Sequence, residues 1–275
     1  MLRIGWFSTG RGEGSQKLLR AAVESIREGS VDAEIVFVFS NRERGQFEAT
    51  DTFFDQIASY GIPLVTLSDA HFRREHGGEV ARKDQPLPPW RTAYDAQIVE
   101  LLKPYAYDLG VLAGYMLIST EPLLSSRPLL NLHPAAPEGP AGTWQDVAWR
   151  LIEQGARQSG VRTHLSTAAL DAGPIVTYCT YPLRGGSIDL LWRAVEGREA
   201  GDVRRNDGEA LPLFQEIRRR GAAHEVPLLV ETLRAFGDGR MRIDGERIMT
   251  GVTKIVGGYD LTPEIESLLS RALTA

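Results

Sequence analysis

Residues 2–41, LRIGWFSTGRGEGSQKLLRAAVESIREGSVDAEIVFVFSN, carry the decision about the fold. LRIGWFS reads as a strand that breaks into a glycine-rich turn. Residues 15–28 then read as a helix, because Leu18, Leu19, Ala22 and Ile26 recur on one face. AEIVFVFSN, residues 33–41, holds the unbroken apolar run IVFVF, as suits a strand buried on both sides. A helix near 51–60 and the strand IPLVTL at 62–67 complete a β-α-β-α-β unit. That alternation predicts an α/β fold: a doubly wound, mostly parallel sheet with helices on both faces.

Working outward, DAHFRREHGGEVARKDQPLPPW (69–90) breaks the rhythm, being charged and then rich in Gly and Pro, and predicts a surface insertion. A helix carrying Tyr94, Ile98, Leu101 and Leu102 on one face follows and stops at Pro104. Strands are expected at 109–118 and 129–133, a helix at 144–158 with Trp144, Ala148, Leu151 and Ile152 facing inward, and strands at 161–168 and 174–182. Residues 187–236 read as mainly helical, and 240–275 as a short hairpin and a final helix. The expected division is one unit over 1–245, interrupted by 69–90, with a tail (246–275) packed on it. No internal repeat is present.

A chain of 275 residues, 43% of them hydrophobic, can bury a full core. A net charge of -5 without a basic run argues against a general nucleic-acid binder. One cysteine, Cys179, leaves no disulfide framework and no cysteine cluster for zinc, which suits a reducing cytoplasm. No window approaches the ~20 apolar residues of a membrane span. The expectation is a cytoplasmic protein acting on small molecules, with no membrane or nucleic-acid partner, as a monomer or homodimer.

Two stretches carry candidate chemistry. STGRGEGSQ (8–16) joins a strand to a helix through glycines, where crowded backbone amides and a helix N-terminus suit an anion. It is neither the dinucleotide fingerprint, which needs glycine where Ser15 stands, nor a P-loop. It reads as a phosphate site or as a tight turn capped by Ser15. NLHPAAPEGPAG (131–142) delivers Asn131 and His133 from a strand into a proline-rich loop. GVRTHLSTAALDAGP (160–174) presents His164 and, at a turn, Asp171. An imidazole with a carboxylate is a general acid/base pair, and an amide can donate to a developing oxyanion. The alternative is a backbone-satisfied histidine and an Asp in an Asx-turn. Nothing in the sequence has metal-ligand spacing. His71 and His76 are expected at the surface, and His224 and Cys179 to be structural.

With NLHP, GVRTH and LDAGPIV on the page, and VLAGYM upstream, the chain resembles the 10-formyltetrahydrofolate-dependent formyltransferases, most closely the branch that formylates glycinamide ribotide in purine biosynthesis. The likeness runs in order through RIGWFSTGRGEGSQKLL, VFSN, RTAYDAQIVELLKPYAYDLGVLAGYM and LVETLRAFGDGRMRI. The pair N-x-H-P and H-x(6)-D-x-G-P is specific to the group. The resemblance implies the Rossmann-like formyltransferase fold, with 10-formyltetrahydrofolate as co-substrate and no metal. It implies that Asn131, His133 and Asp171 form the catalytic set. Asn131 and protonated His133 would stabilise a tetrahedral oxyanion, Asp171 would hold the imidazole and help move the proton, and His164 would support the Asp171 loop. The pterin would lie against Tyr115, Met116, Leu117, Ile118, Ser119, Leu170, Ala172 and Gly173. The ribotide phosphate would lie against Gly10, Arg11, Gly12, Ser15 and Gln16.

The chain departs from the family in two places. AAPEGPAGTWQ replaces the usual S-L-L-P after N-x-H-P, and GRGEGSQ, containing Glu13, replaces the shorter glycine loop. Both touch the acceptor side. The alternatives are a formyltetrahydrofolate deformylase, in which water accepts, and an N-formyltransferase acting on another amine such as an amino sugar. A deformylase is expected to carry a preceding regulatory domain, whereas here the fold starts at residue 2. Methionyl-tRNA formyltransferase is disfavoured by the acidic balance and the missing nucleic-acid-binding domain. A non-catalytic folate- or nucleotide-binding module and a Rossmann oxidoreductase are the readings from other classes.

Overall fold

In the computed structural model, which describes residues 1–81 and 85–274, the chain begins β1 (Leu2–Phe7), α1 (Glu13–Arg27), β2 (Ala33–Ser40), α2 (Glu48–Tyr60) and β3 (Leu64–Thr66). It continues α3 (Asp69–Glu75), α4 (Trp90–Leu102), β4 (Leu109–Leu112), α5 (Glu121–Leu124), β5 (Leu129–His133), α6 (Trp144–Glu153), β6 (Gln158–Leu165) and β7 (Ile175–Pro182). Then come α7 (Ile188–Arg193), α8 (Ala200–Asn206) and the long α9 (Pro212–Gly237). The chain closes with β8 (Met241–Asp244), β9 (Arg247–Thr250), β10 (Thr253–Ile255), β11 (Tyr259–Asp260) and α10 (Thr262–Thr274).

The main sheet has the order β11-β7-β6-β5-β4-β1-β2-β3, and β6 alone runs against the other strands. This is the mostly parallel, doubly wound architecture that the alternation predicts. From β1 the chain steps outward to β2 and β3, then crosses back to place β4 on the other side of β1. The strand order therefore reverses between β1 and β4, and a crevice opens at their carboxyl ends, where ligands of such sheets bind.

Alternation along the central strands explains the unbroken apolar runs. Ile4 and Trp6 of β1 pack with α1, α2 and α9 on one face, while Phe7 packs with Phe37, Phe39 and the α4 residues Tyr94 and Ile98 on the other. A third cluster joins β6 and β7, through Val161, Cys179 and Tyr181, to α6, α9 and α10. β8, β9 and β10 form a small separate sheet, and β11 adds a parallel edge strand beside β7.

The structure differs from expectation at several boundaries: the strand expected at 161–168 runs Gln158–Leu165, and the hairpin expected within 240–275 gains a third strand, with β11 joining the main sheet. Residues 69–75 of the expected insertion are helical: Ser68 caps α3 by accepting from the His71 amide, and Phe72 is buried against α4. His71 and His76 are exposed, as expected, and residues 82–84 of that segment lie outside the described residues. The strand expected at 109–118 stops at Leu112, because Gly114 takes φ 71° and turns the chain. The helix expected to reach 158 stops at Glu153, with Gly155 at φ 57° beyond it.

Thr9, just past β1, is the crossing point of the crevice. Its hydroxyl donates to Asn41 Oδ1 at 2.8 Å, past β2, and accepts from the Met116 amide at 2.9 Å, past β4. Gly114 closes the same junction: a Cβ there would lie 2.7 Å from Ser15 Oγ, and its φ is left-handed. Gly114→Ala should therefore cost roughly 2–4 kcal/mol, from the left-handed backbone and from overpacking. In a Ser15→Ala background, where the contact is gone, the cost should shrink to about 1–2 kcal/mol. Urea midpoints of the four proteins test this, and equal costs in both backgrounds would refute the steric part.

Candidate active site

The site begins with β5. Asn131 and His133 are two apart and share one face of the sheet, and Pro134, unable to donate to a ladder, ends the strand there. β6 lies antiparallel beside it, pairing Asn131 with His164 and His133 with Arg162. After β6 the loop turns back at Asp171, the only non-glycine residue with positive φ among the described residues (52°), a conformation Asp tolerates. Gly173 makes the return possible, because a Cβ there would sit 1.7 Å from the Leu165 carbonyl oxygen.

These elements bring the expected set together. Asp171 Oδ2 lies 3.6 Å from His133 Nδ1, and Oδ1 lies 3.6 Å from His164 Nε2. The Asp171 side chain is 8% exposed, with His133 at 3% and His164 at 2%. The Gly142 amide donates to Asp171 Oδ2 at 3.0 Å.

Hydrogen-bond partners fix the tautomers. His164 Nδ1 donates to the Leu165 carbonyl at 3.0 Å, so its Nε2 accepts from Asn131 Nδ2 at 3.1 Å. The second N–H of Asn131 makes only a 3.4 Å contact with Asp171 Oδ1. His133 Nε2 donates to the Pro140 carbonyl at 2.8 Å, which leaves Nδ1 as the nitrogen facing Asp171. The prolines of the loop thus have a local use: they aim one carbonyl at the imidazole.

Burial, the largest influence, pulls the His133 pKa below its ordinary value, although Asp171 and the Pro140 carbonyl pull it up. The resting imidazole is neutral at pH 7. The protonated His133 expected from the resemblance is therefore not the resting state, because a desolvated cation costs more there than the neighbouring carboxylate returns. Asp171 moves the other way to an ordinary buried acid. Burial raises its pKa, but His164, His133 and the Gly142 amide together outweigh burial and hold it low. The pair at rest is an ionised carboxylate beside a neutral imidazole.

Of the residues expected to face the pterin, Met116, Ile118 and Leu170 are exposed apolar side chains, at 43%, 38% and 53%. Tyr115 differs from its neighbours: its side chain packs against Phe7 and Phe39 in the core. Leu117 is half-buried, Ser119 is buried, and the Ala172 side chain is exposed.

On the other bank, Gly10 has φ 65° and Gly12 precedes the first turn of α1. Gly12 and Gly14 have open space where a side chain would stand. Arg11 is exposed, Ser15 is buried against Gly114, and Gln16 is half-buried, its carbonyl accepting from Gln56. Glu13 points away from the turn's chemistry in an ion pair with Lys17 at 2.9 Å.

Three supports escaped the sequence reading. Arg91 and Asp95, one turn apart on α4 and buried, hold the 113–120 loop. Arg91 donates to the Ile118 carbonyl at 2.9 Å, and Asp95 accepts from the Thr120 amide and hydroxyl at 2.5 and 2.8 Å. A charged i, i+4 pair within an apolar helix is the signal that was available. Arg42, past β2, stacks 3.7 Å above the Phe47 ring and donates to Thr50 at 3.0 Å. Burial first, and the nearby Arg11 charge second, lower its pKa. Arg162 is buried on β6 between the two site loops. His224 and Cys179 are structural, as expected. His224 stacks on Tyr181 and bonds the Arg220 carbonyl, and burial pushes the Cys179 thiol up to about 12. Among the described residues no group of three His, Cys, Asp or Glu could hold a metal ion, and no helix is long and apolar enough to cross a membrane.

A profile of the formyl transferase family matches residues 9–183, which contain the whole site. The phosphoribosylglycinamide formyltransferase of Escherichia coli (strain K12) is 27% identical over 193 residues, 68% of this chain and 78% of that protein. The bovine trifunctional purine biosynthetic protein adenosine-3 is 27% identical over 186 residues, 66% of this chain, which spans only 16% of that protein's length. Formyltetrahydrofolate deformylases are also among the matches. Among solved structures, glycinamide ribonucleotide transformylase 1 from Symbiobacterium toebii superposes with a TM-score of 0.65 at 26% identity, covering 91% of this chain and 94% of its own. The family match spans the strand ends and loops just described, and the chain belongs to the formyl transferase family, enzymes that draw the formyl group from 10-formyltetrahydrofolate.

Proposed function

We propose that this chain transfers the formyl group of 10-formyltetrahydrofolate to the amine of glycinamide ribotide, with Asn131, His133 and Asp171 as the catalytic residues. The observation that carries the reading is the convergence of those three side chains, two from the end of β5 and one from the loop after β6, into one desolvated cluster. The folate supplies the formyl carbon that the amine attacks. As that bond forms, His133 Nδ1 takes the amine proton, and the ionised Asp171 beside it stabilises the imidazolium. The loosely held N–H of Asn131 and the new Nδ1–H donate to the oxygen where negative charge develops. Nδ1 then returns the proton to the departing nitrogen. Asn131 depends on His164 for its aim, since one of its N–H groups is already given to that ring.

The acceptor assignment is supported by the second bank of the crevice. Gly12 and Gly14, with open space beside their Cα atoms, the N-terminus of α1, and the like charges of Arg11 and Arg42 together suit an anion. A phosphorylated amine supplies one. The likeness to deformylases favours a second reading, in which water accepts in place of the amine.

Purified protein incubated with 10-formyltetrahydrofolate, with and without glycinamide ribotide, should release tetrahydrofolate only when the ribotide is present. Release independent of the ribotide would select the deformylase reading, and no release would overturn both. His133→Ala, folded as judged by circular dichroism, should lose roughly 10²–10³ in kcat.

The pH dependence has a definite sign. His133 must be unprotonated at Nδ1 to accept, and its pKa is depressed, so kcat/KM should fall with acid along a limb centred below the ordinary value of about 6.5. Asp171, held low, stays ionised through that window. Asp171→Asn keeps a side chain that tolerates the left-handed backbone but removes the charge that favours the imidazolium. The limb should move to still lower pH and kcat should fall. An unmoved limb would show that the titrating group is not His133.

A further inference from the structure

We propose that Arg162 is a positioning residue for this reaction: its guanidinium clamps the 134–142 loop and the Asp171 loop to β6, and so holds His133 and Asp171 in working register. The inference rests on the catalytic reading of the trio given above. Arg162 is 3% exposed, and among the described residues no carboxylate lies within ion-pair reach of it. A buried guanidinium without a salt bridge must find other acceptors. It finds backbone carbonyls. Nη1 donates to the Ala136 carbonyl and, at 3.2 Å, to that of Pro137, and Nη2 donates to the Asp171 carbonyl at 3.0 Å.

Each contact has a consequence for the trio. Fixing the carbonyls of Ala136 and Pro137 fixes the loop that carries Pro140, whose own carbonyl sets the His133 tautomer, and Gly142, whose amide donates to Asp171. Fixing the Asp171 carbonyl holds that residue in its left-handed conformation. Gly160 completes the seat, because the backbone of Ala136 approaches to 3.1 Å of where its Cβ would stand. Arg162 is also paired across the ladder with His133, so one residue on β6 reaches both loops and flanks the imidazole.

The charge acts separately from the fork. The titratable and charged groups facing His133 are Asp171 from its loop and Arg162 and His164 from β6, while the 134–142 loop presents the Pro140 carbonyl and β5 the neutral Asn131. Of these, Arg162 and, after it, His164 oppose the imidazolium, and Arg162 alone carries a fixed positive charge. Removing the charge must raise the His133 pKa, whereas a purely structural loss would leave it in place.

Arg162→Met and Arg162→Lys separate the two effects in the 275-residue chain, with kcat and kcat/KM for tetrahydrofolate release measured from pH 5 to 9 and folding followed by thermal melting. Arg162→Met should lose roughly 100-fold in kcat, the scale of a small misplacement of reacting groups. Its acid limb should move to higher pH. Arg162→Lys keeps the charge but not the planar fork, so its limb should stay near that of the wild type while most of the rate loss remains. Rate loss in both variants with an unmoved limb in Arg162→Met would reduce Arg162 to a structural residue. If Arg162→Met does not fold, a wild-type rate in Arg162→Lys overturns the clamp by itself. A wild-type chain without formyl transfer strikes the functional reading and the clamp together, whereas a transferring wild type with two indifferent variants strikes only the clamp.

Discussion

The antiparallel register of β5 against β6 is the constraint on which the site depends. It sets Asn131 opposite His164 and His133 opposite Arg162, all four on one face. Because side chains alternate strictly, a slip of one residue would exchange every one of them for its neighbour. Leu130, fully buried in the apolar cluster under α9, would then be driven into the polar site, and His133 would have to enter that cluster. The core therefore enforces the register, and the register assembles the chemistry. A residue buried for packing, such as Leu130, thus helps place a donor on the opposite face.

The second constraint is the reversal of strand order between β1 and β4. It opens the crevice, but the crevice holds its shape through polar groups at strand ends. Thr9 ties the ends of β1, β2 and the 113–120 loop together, and Arg91 and Asp95 tie that loop to α4. Such bonds are worth little individually, about 1 kcal/mol net. Left unmade, each would strand a buried donor or acceptor at a larger cost, so the loop geometry is specified more strongly than its energy suggests.

The regular part of the fold was legible in the sequence because its two periods are distinct. β1, α1 and β2 could be read from a continuous apolar run, a helical stripe and a second run, and their bounds hold to within a few residues. The boundary misreadings share a cause: at VLAGYM and 69–75, composition and geometry disagree. Apolar residues continue past Leu112 although Gly114 has already turned the chain, and a charged segment forms α3 because one side chain, Phe72, has a core to enter. Residue types marked Asn131, His133, His164 and Asp171 as candidates but could not reveal that they meet, and the family resemblance assigned the catalytic set. Arg162 and Arg42 stayed hidden for a different reason. Their main partners are backbone carbonyls, a threonine hydroxyl and a ring face brought close by folding, and no pairing of residue types in the sequence announces those.

Electrostatics then decides what the cluster can do. Burying a carboxylate, two imidazoles and a guanidinium together invites mutual neutralisation, yet here the carboxylate stays ionised while the His133 imidazole stays neutral. Burial keeps the imidazole neutral; His164 and His133, with the Gly142 amide, hold the carboxylate ionised, and carbonyls of both loops absorb the guanidinium, so Arg162 need not claim Asp171. A direct Arg162–Asp171 pair would have engaged the carboxylate before any substrate arrived. In the proposed reaction, routing the arginine to carbonyls would leave Asp171 one task, to favour the imidazolium at the moment His133 accepts a proton. On that reading the site rests with its proton acceptor empty and its stabilising charge in place, as a reaction that releases a proton during bond formation requires.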